Sequence, residues 1–248
     1  MMDTKEFAME MVSMAAKNYT GAVVLAAGNS TRMGKNLNKQ LMPVQGAPVL
    51  AHTLLAYQLC PVIREIVVVT RPCDFEAVKE IREQYGITKL KHMTSGGATR
   101  QESAKKGLAK LSDKVRYVAI ADGARCLTTP MQIATVCARA YRFHAASAAH
   151  QISDSVKRTN ASSMSIENVD RNNLWQAQTP QVFHMSLYLA ALSRAQNDGF
   201  EGTDDNSLVE HLGYQVRMVE CGRENIKITT REDLPLAEAI LRYRSEKA

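Results

Sequence analysis

Aromatic residues are scarce in this 248-residue chain, at 6% with one tryptophan, and none of its five cysteines pairs with another as CxxC. Cys60, Cys73, Cys126, Cys137 and Cys221 are odd in number and widely spaced, which excludes a disulfide framework and a zinc-binding cluster and suits a reducing cytoplasm. No apolar run approaches the ~20 residues that a membrane span requires. The opening "MMDTKEFAMEMVSMAAKNYT" carries early acids and lacks the apolar core of a signal peptide. Concentrated basic runs are also missing, and with so few aromatics this argues against a nucleic-acid surface. Both common nucleotide fingerprints fail as well. In "VLAAGNSTRMGKNLNKQ", residues 24–40, Asn29 and Ser30 follow Gly28, so neither G-x-G-x-x-G nor G-x-x-x-x-G-K-[ST] is present.

What is present builds one α/β domain. Hydrophobic residues make up 45%, enough for a sizeable core, and 31 Lys and Arg against 25 Asp and Glu leave a scattered charge of +6. That excess suits a small phosphorylated ligand. From Gly21 onward, β-rich runs alternate with helical stretches, as in a mostly parallel sheet flanked by helices. "AVVLAA", "EIVVVT", "KLKHMTSGG" and "YVAIADGA" read as strands, and "QVRMVECG" and "NIKITT" as later ones. Helices are expected around Val49–Leu59, after Asp74 as a cap, from a Thr99/Glu102 capping box through Leu108 and Leu111, from Thr129-Pro130, and from about Asp233. Residues 1–20 read as an extension, with Phe7, Met11 and Met14 at helical spacing or the segment only partly ordered, and 21–248 as a single domain. Beyond Ala145, short β-like pieces broken by Ser, Asn and Asp suggest a ribbon at about 150–172 whose unpaired edges suit a second subunit.

Open α/β sheets bind ligands at the carboxyl ends of their strands. The residues that fall there are Gly28, Ser30, Thr31, Arg32 and Lys39; Gly96, Gly97, Arg100 and Ser103; Asp122 and Arg125; and Lys227. Ala26, Ala27 and Gly28 form a small-residue turn whose amides can approach an anion, and Arg32 and Lys39 can neutralise a triphosphate. The bland alternative is a βα turn with solvated basic residues. Asp122 discriminates better, because an acid ending an apolar strand is costly unless it is paired or meets a metal or ribose hydroxyls. Its bland alternative is an ion pair with Arg125.

Six motifs in one order, "VLAAGNSTRMG" with "NKQ", "GGATRQES", "ADGAR", "VDRNNLWQAQTPQVF", "TDDNSLVE" and "NIKIT", resemble the cytidylyltransferases that activate 2-C-methyl-D-erythritol 4-phosphate in the non-mevalonate isoprenoid pathway. The resemblance spans roughly residues 21 to 240. It implies a Rossmann-like nucleotidyltransferase fold with a mostly parallel sheet, a protruding β-arm for dimerisation, and a Mg²⁺-dependent (or other divalent cation) reaction of CTP with a sugar-alcohol phosphate. It also implies roles. Arg32, Lys39 and Lys227 match residues acting on the CTP phosphates, and Ala26, Ala27, Gly28, Gly97, Arg100, Ser103, Asp122 and Gly123 match the nucleotide site, with Asp122 also at the metal. Arg125, Ser155, Arg171, Thr179 and Thr203 match the sugar-phosphate side, and Ser155 and Lys157 lie in the arm that reaches a neighbouring subunit.

The residue types suit phosphoryl chemistry, which concentrates negative charge and rewards cations over an acid or base. None of the six histidines falls in these motifs; His52, His144 and His184 read as packing residues, as does Trp175. Three departures stand out: Cys126 where proline commonly follows the arginine of "ADGAR", Asn206 for a small residue, and Ser155 for threonine. Asn206 and Ser155 are expected near the sugar phosphate. Ribitol 5-phosphate cytidylyltransferases share the fold and much of the motif order and stay open as an alternative. So does a non-catalytic CTP-binding dimer, while a nicotinamide-dependent oxidoreductase lacks its fingerprint.

Overall fold

The computed structural model describes residues 17–28 and 38–247. Arg32, Ser30, Thr31 and the expected N-terminal helix lie outside the described residues. In chain order the elements are β1 (Thr20–Ala26), β2 (Pro43–Val44), β3 (Ala47–Pro48), α1 (Val49–Leu59), β4 (Ile63–Thr70), α2 (Phe75–Gln84), β5 (Leu90–Ser95), α3 (Arg100–Leu108), β6 (Tyr117–Asp122) and α4 (Pro130–Phe143). Then follow β7 (Ala145–Gln151), β8 (Val156–Thr159), β9 (Ser165–Val169), β10 (Trp175–His184), α5 (Met185–Asn197), α6 (Asp205–His211), β11 (Arg217–Glu220) and α7 (Asp233–Glu246).

Seven strands form the main sheet in the order β11-β7-β10-β6-β1-β4-β5. Only β10 runs against its neighbours, pairing antiparallel with both β6 and β7, so the sheet is mostly parallel. Alternation along β1 splits the core in two. Ala22, Val24 and Ala26 face α1, α2 and α4, while Val23 faces α3, α5 and α6. This is the period-2 logic of a strand buried on both faces. A smaller cluster around Val44, Leu127, Ile228 and Ala237 docks α7. None of the described helices is long and apolar enough to cross a membrane.

The ribbon separates into two parts. β7 and β10 join the main sheet, whereas β8 and β9 form their own two-stranded antiparallel sheet, Val156 opposite Val169. Met164 and Ile166 on this hairpin are 65% and 62% exposed.

Four expectations need correction. "NIKITT" is not a strand: it pairs with no strand of the sheet, its Ile228 N–H bonding instead to the Ala124 carbonyl at 2.8 Å just past β6 while the Ile228 side chain packs in the Val44, Leu127 and Ala237 cluster. Asp74 does not cap α2 with its side chain; the carboxylate instead pairs with Arg71 at 2.6 Å and accepts from Asn38 at 2.8 Å. The capping box of α3 is half made, since Thr99 accepts from Glu102 N–H, but the Glu102 carboxylate accepts from Ala98 N–H at 2.7 Å. Finally, α3 stops at Leu108, before Leu111.

Candidate active site

The strand order places the switch in winding direction at β1, with β4 on one side and β6 on the other. Ligand sites form outside the carboxyl ends of such strands. A cleft of about 340 Å³ opens there, lined by Ala27 and Gly28 after β1, Lys39 and Gln40, the Gly97–Arg100 turn and Ser103 of α3, Asp122 at the end of β6, Ala124 and Lys227.

Close approach of two turns makes the wall. A side chain at Gly96 would put Cβ 2.5 Å from Ala27 Cβ, so only glycine there lets the β5–α3 turn close on the β1 turn, and one at Gly97 would lie 2.3 Å from Glu102 Cβ, so glycine there lets the turn fold onto the start of α3. Ser103 then locks that turn, its hydroxyl accepting from Gly97 N–H at 2.9 Å and donating to the Thr99 carbonyl at 2.9 Å.

Electrostatics centre on Asp122, which is 8% exposed. Its carboxylate lies 3.0 Å from Lys227 Nζ, 3.4 Å from Arg125 Nε and 3.7 Å from Arg100 Nη2. Burial pushes the carboxyl up, but Lys227, Arg100 and Arg125 together more than offset it and hold its pKa at about 2. Burial works against the Arg100 guanidinium too, yet Asp205 and Asp122 outweigh it and raise that pKa. For Arg125, burial wins and the pKa is lowered. Lys39, 9% exposed, lines the same cleft.

The structure thus brings together Ala27, Gly28, Lys39, Gly97, Arg100, Ser103, Asp122 and Lys227 around one cleft. Other expected residues sit behind the wall. Ala26 is buried beneath it, and Gly123 packs so closely that an added Cβ would lie 3.1 Å from the Leu25 carbonyl oxygen. The Thr179 hydroxyl accepts the Asp122 N–H at 3.0 Å. Arg125 turns inward and donates through Nη1 to the Asn225 carbonyl at 2.6 Å. Ser155, Arg171 and Thr203 are exposed and lie outside the cleft lining of this single chain, with Arg171 donating to the Ser153 carbonyl. Asn206, expected beside the sugar phosphate, is instead buried against β7; its Nδ2 donates to Ser147 Oγ at 2.9 Å and its N–H to Gln181 Oε1 at 3.2 Å.

Sequence reasoning missed the amides behind the wall. Asn225 Nδ2 donates to Gln178 Oε1 at 3.1 Å and to the Thr179 carbonyl at 3.0 Å, and Gln178 Nε2 meets His150 Nδ1 at 2.9 Å. Gln181, Asp205 and Tyr188 were also missed. For Gln178 and Gln181 the available signal was the density of polar residues in "WQAQTPQVF", unusual for a strand running through a core, while Asp205 and Asn225 sit inside the quoted motifs "TDDNSLVE" and "NIKIT".

A crevice at the switch point of a mostly parallel sheet, with a glycine-lined turn, a cation-ringed aspartate and two lysines, defines an open α/β protein whose strand ends suit a phosphate-bearing ligand. The model of the 2-C-methyl-D-erythritol 4-phosphate cytidylyltransferase family matches residues 20–243. A relative of that name from Caldanaerobacter subterraneus is 40% identical over 222 residues, covering 89% of this chain and 98% of its own. Another from Syntrophus aciditrophicus is 40% identical, covering 89% and 95%. Among solved structures, a 4-diphosphocytidyl-2C-methyl-D-erythritol synthase from Anaerococcus prevotii superposes with TM-score 0.82 at 28% identity, covering 93% of this chain and 99% of that one. The Thermus thermophilus 2-C-methyl-D-erythritol 4-phosphate cytidylyltransferase gives 0.75 at 29%, covering 90% and 99%. The chain therefore belongs to the 2-C-methyl-D-erythritol 4-phosphate cytidylyltransferase family and is a nucleotidyltransferase.

Proposed function

We propose that this protein transfers a cytidylyl group from CTP to 2-C-methyl-D-erythritol 4-phosphate, giving 4-diphosphocytidyl-2-C-methyl-D-erythritol and pyrophosphate. The observation that carries this reading is Asp122 at the cleft floor with Lys227 and Arg100 around it and Lys39 facing the same space, in a chain of this family.

Bond making joins the acceptor's phosphate oxygen to the α-phosphorus of CTP as the bond to pyrophosphate breaks. Both partners are anionic, so the barrier is dominated by charge. Lys39, Lys227 and Arg32 supply fixed positive charge to the α-phosphate and the leaving group, which is worth more in a secluded cleft than in water. The acceptor is a phosphate monoester and already nucleophilic at neutral pH, so no histidine is needed as a base. The Gly97 turn, Arg100 and Ser103 hold the nucleoside, and Asp122 faces the ribose, with Gly123 behind it allowing β6 to end against the Leu25 carbonyl. Arg125 and Thr179 shape the cleft from behind, through Asn225 and the Asp122 amide.

The donor set fits a magnesium ion that arrives with the triphosphate. Asp122 offers one carboxylate, and among the described residues no group of three or more His, Cys, Asp or Glu gathers to hold a metal. Magnesium characteristically takes one or two carboxylates and completes its shell with substrate phosphates and water. When bound, it neutralises phosphate charge and orients the triphosphate.

Ser155, Lys157, Arg171 and Thr203 serve the sugar phosphate, with the arm residues supplied across a homodimer. The exposed arm supports this, because an isolated two-stranded hairpin is marginal in water and gains by packing on a second chain. All five cysteines are free, in keeping with a cytoplasmic site of action.

The test is pyrophosphate release by the purified protein with CTP and Mg²⁺, comparing 2-C-methyl-D-erythritol 4-phosphate with ribitol 5-phosphate. Release with the first acceptor alone is expected. Release with ribitol 5-phosphate alone would overturn the acceptor, and silence with both would favour a non-catalytic CTP-binding dimer.

A further inference from the structure

Asp205 is 0% exposed and does not line the cleft, yet it carries a carboxylate. Burying such a group is costly unless both oxygens find partners. Here one oxygen accepts from Arg100 Nη1 and the other from the Tyr188 hydroxyl. The other terminal nitrogen of Arg100, Nη2, lies 3.7 Å from Asp122 in the cleft. Arg100 therefore bridges two acids, one fixed in the interior and one facing the ligand space.

The interior end of this bridge is held rigidly. Asp205 opens α6, whose start is set by the reciprocal Asp204–Ser207 capping box. Gln181 of β10 then pins the same turn, its Oε1 accepting from Asp205 N–H at 2.9 Å and Asn206 N–H at 3.2 Å, while its Nε2 donates to Asp204 Oδ2 at 2.7 Å. Tyr188 is fixed by stacking on Phe183, with ring centroids 5.0 Å apart and planes 11° from parallel. A guanidinium on a flexible stem loses considerable rotamer freedom when held in one place, and that ordering is here completed before any ligand arrives.

We propose that Asp205 and Tyr188 are positioning residues that hold Arg100 in the orientation the nucleotide cleft requires and stop it from collapsing onto Asp122. The inference rests on the reading above that Arg100 contacts the nucleotide. Without Asp205, the guanidinium would lose its fixed end and exchange between Asp122, where it would compete with Lys227 and cover the ribose side of the cleft, and the open ligand space. With Asp205 in place, the fork is divided between the two acids, and one edge stays available to a ligand.

The experiment has two readouts. In Asp205→Asn, KM for CTP is expected to rise roughly tenfold, with kcat changed far less. Tyr188→Phe keeps the ring stack and removes only the hydroxyl, so it should move KM in the same direction by a smaller factor; it also serves if Asp205→Asn folds poorly. In an Arg100→Ala background, Asp205→Asn should add nothing. The second readout needs no substrate. The side-chain Nε–H resonance of Arg100, assigned by its loss in Arg100→Lys, should report a rigid group in the free wild-type protein and a mobile one in Asp205→Asn and Tyr188→Phe. An Arg100 side chain equally rigid in both variants would overturn the proposal, as would KM penalties that multiply in the double variant. A rigid-to-mobile change without any use of CTP would uphold the positioning role and sink the cytidylyltransferase reading instead.

Discussion

Asp122 and its three cations set the residue-scale behaviour. Its folded pKa of about 2 lies below the ordinary 3.8, so the unfolded chain binds a proton more readily. The resulting stabilisation is fully present above pH 3.8 and is lost as pH falls through about 2. The difference corresponds to about 2 kcal/mol. We expect the stability gap between wild type and Asp122→Asn, measured by urea unfolding, to be constant from pH 7 to about pH 5 and to narrow below about pH 4. A gap that stays constant down to pH 3 would mean that Asp122 is not held ionised by its neighbours. Residues such as Asp122, Gly97 and Lys39 were legible in the sequence because each follows a β-rich run or lies in the loop after one, where an α/β sheet presents its ligand site. Asp205 was not. Its partner Arg100 lies 105 positions away, and nothing local distinguishes a buried acid that anchors an arginine from an acid that starts a helix.

At the scale of elements, α3 matters most, because it carries Arg100 and Ser103 on its first turns while its far end packs on the sheet. That contact depends on Gly107, where a Cβ would sit 2.4 Å from Val23 Cγ1 and 2.8 Å from Val69 Cγ2. Neither valine can yield, since β1 and β4 are central strands and both side chains are fully buried. Gly107→Ala should therefore push the helix off the sheet, costing about 1–3 kcal/mol despite alanine's better helix propensity. Because the displaced helix carries Arg100, KM for CTP should rise as well. Unchanged stability and KM in this variant would show that the helix tolerates the extra methyl group and that its seating does not govern the site. The strands and most helices were readable from periodicity and caps, as with Thr129, whose hydroxyl accepts from Gln132 N–H at 3.2 Å while Gln132 Oε1 accepts from Thr129 N–H at 2.9 Å. "NIKITT" was misread for a tertiary reason: it alternates like a strand, but its backbone bonds to the Ala124 loop and Ile228 fills the cluster that docks α7.

For the whole molecule, the residues proposed to act on the two substrates fall in two separate places on the single chain. Lys39, Asp122 and Lys227 share the cleft, whereas Ser155 and Arg171 stand exposed on or beside the arm, outside its lining. If the arm completes a partner's site, Lys39→Ala and Arg171→Ala should each be nearly inactive, with Lys39→Ala losing on the order of 10² in turnover from the removal of one preorganised charge. Mixing the two variants after subunit exchange then has a definite outcome. In a dimer containing one chain of each kind, the cleft with intact Lys39 receives the arm with intact Arg171, while the other site carries both defects. Random pairing makes half the dimers mixed, so roughly a quarter of wild-type activity should return. Were Arg171 to act within its own chain, every site in the mixed dimer would carry one defect and no activity would return. The recovered fraction therefore distinguishes a shared site from two independent ones, and Ile166→Asp, which charges the exposed face of the arm, should abolish the recovery by preventing the pairing itself.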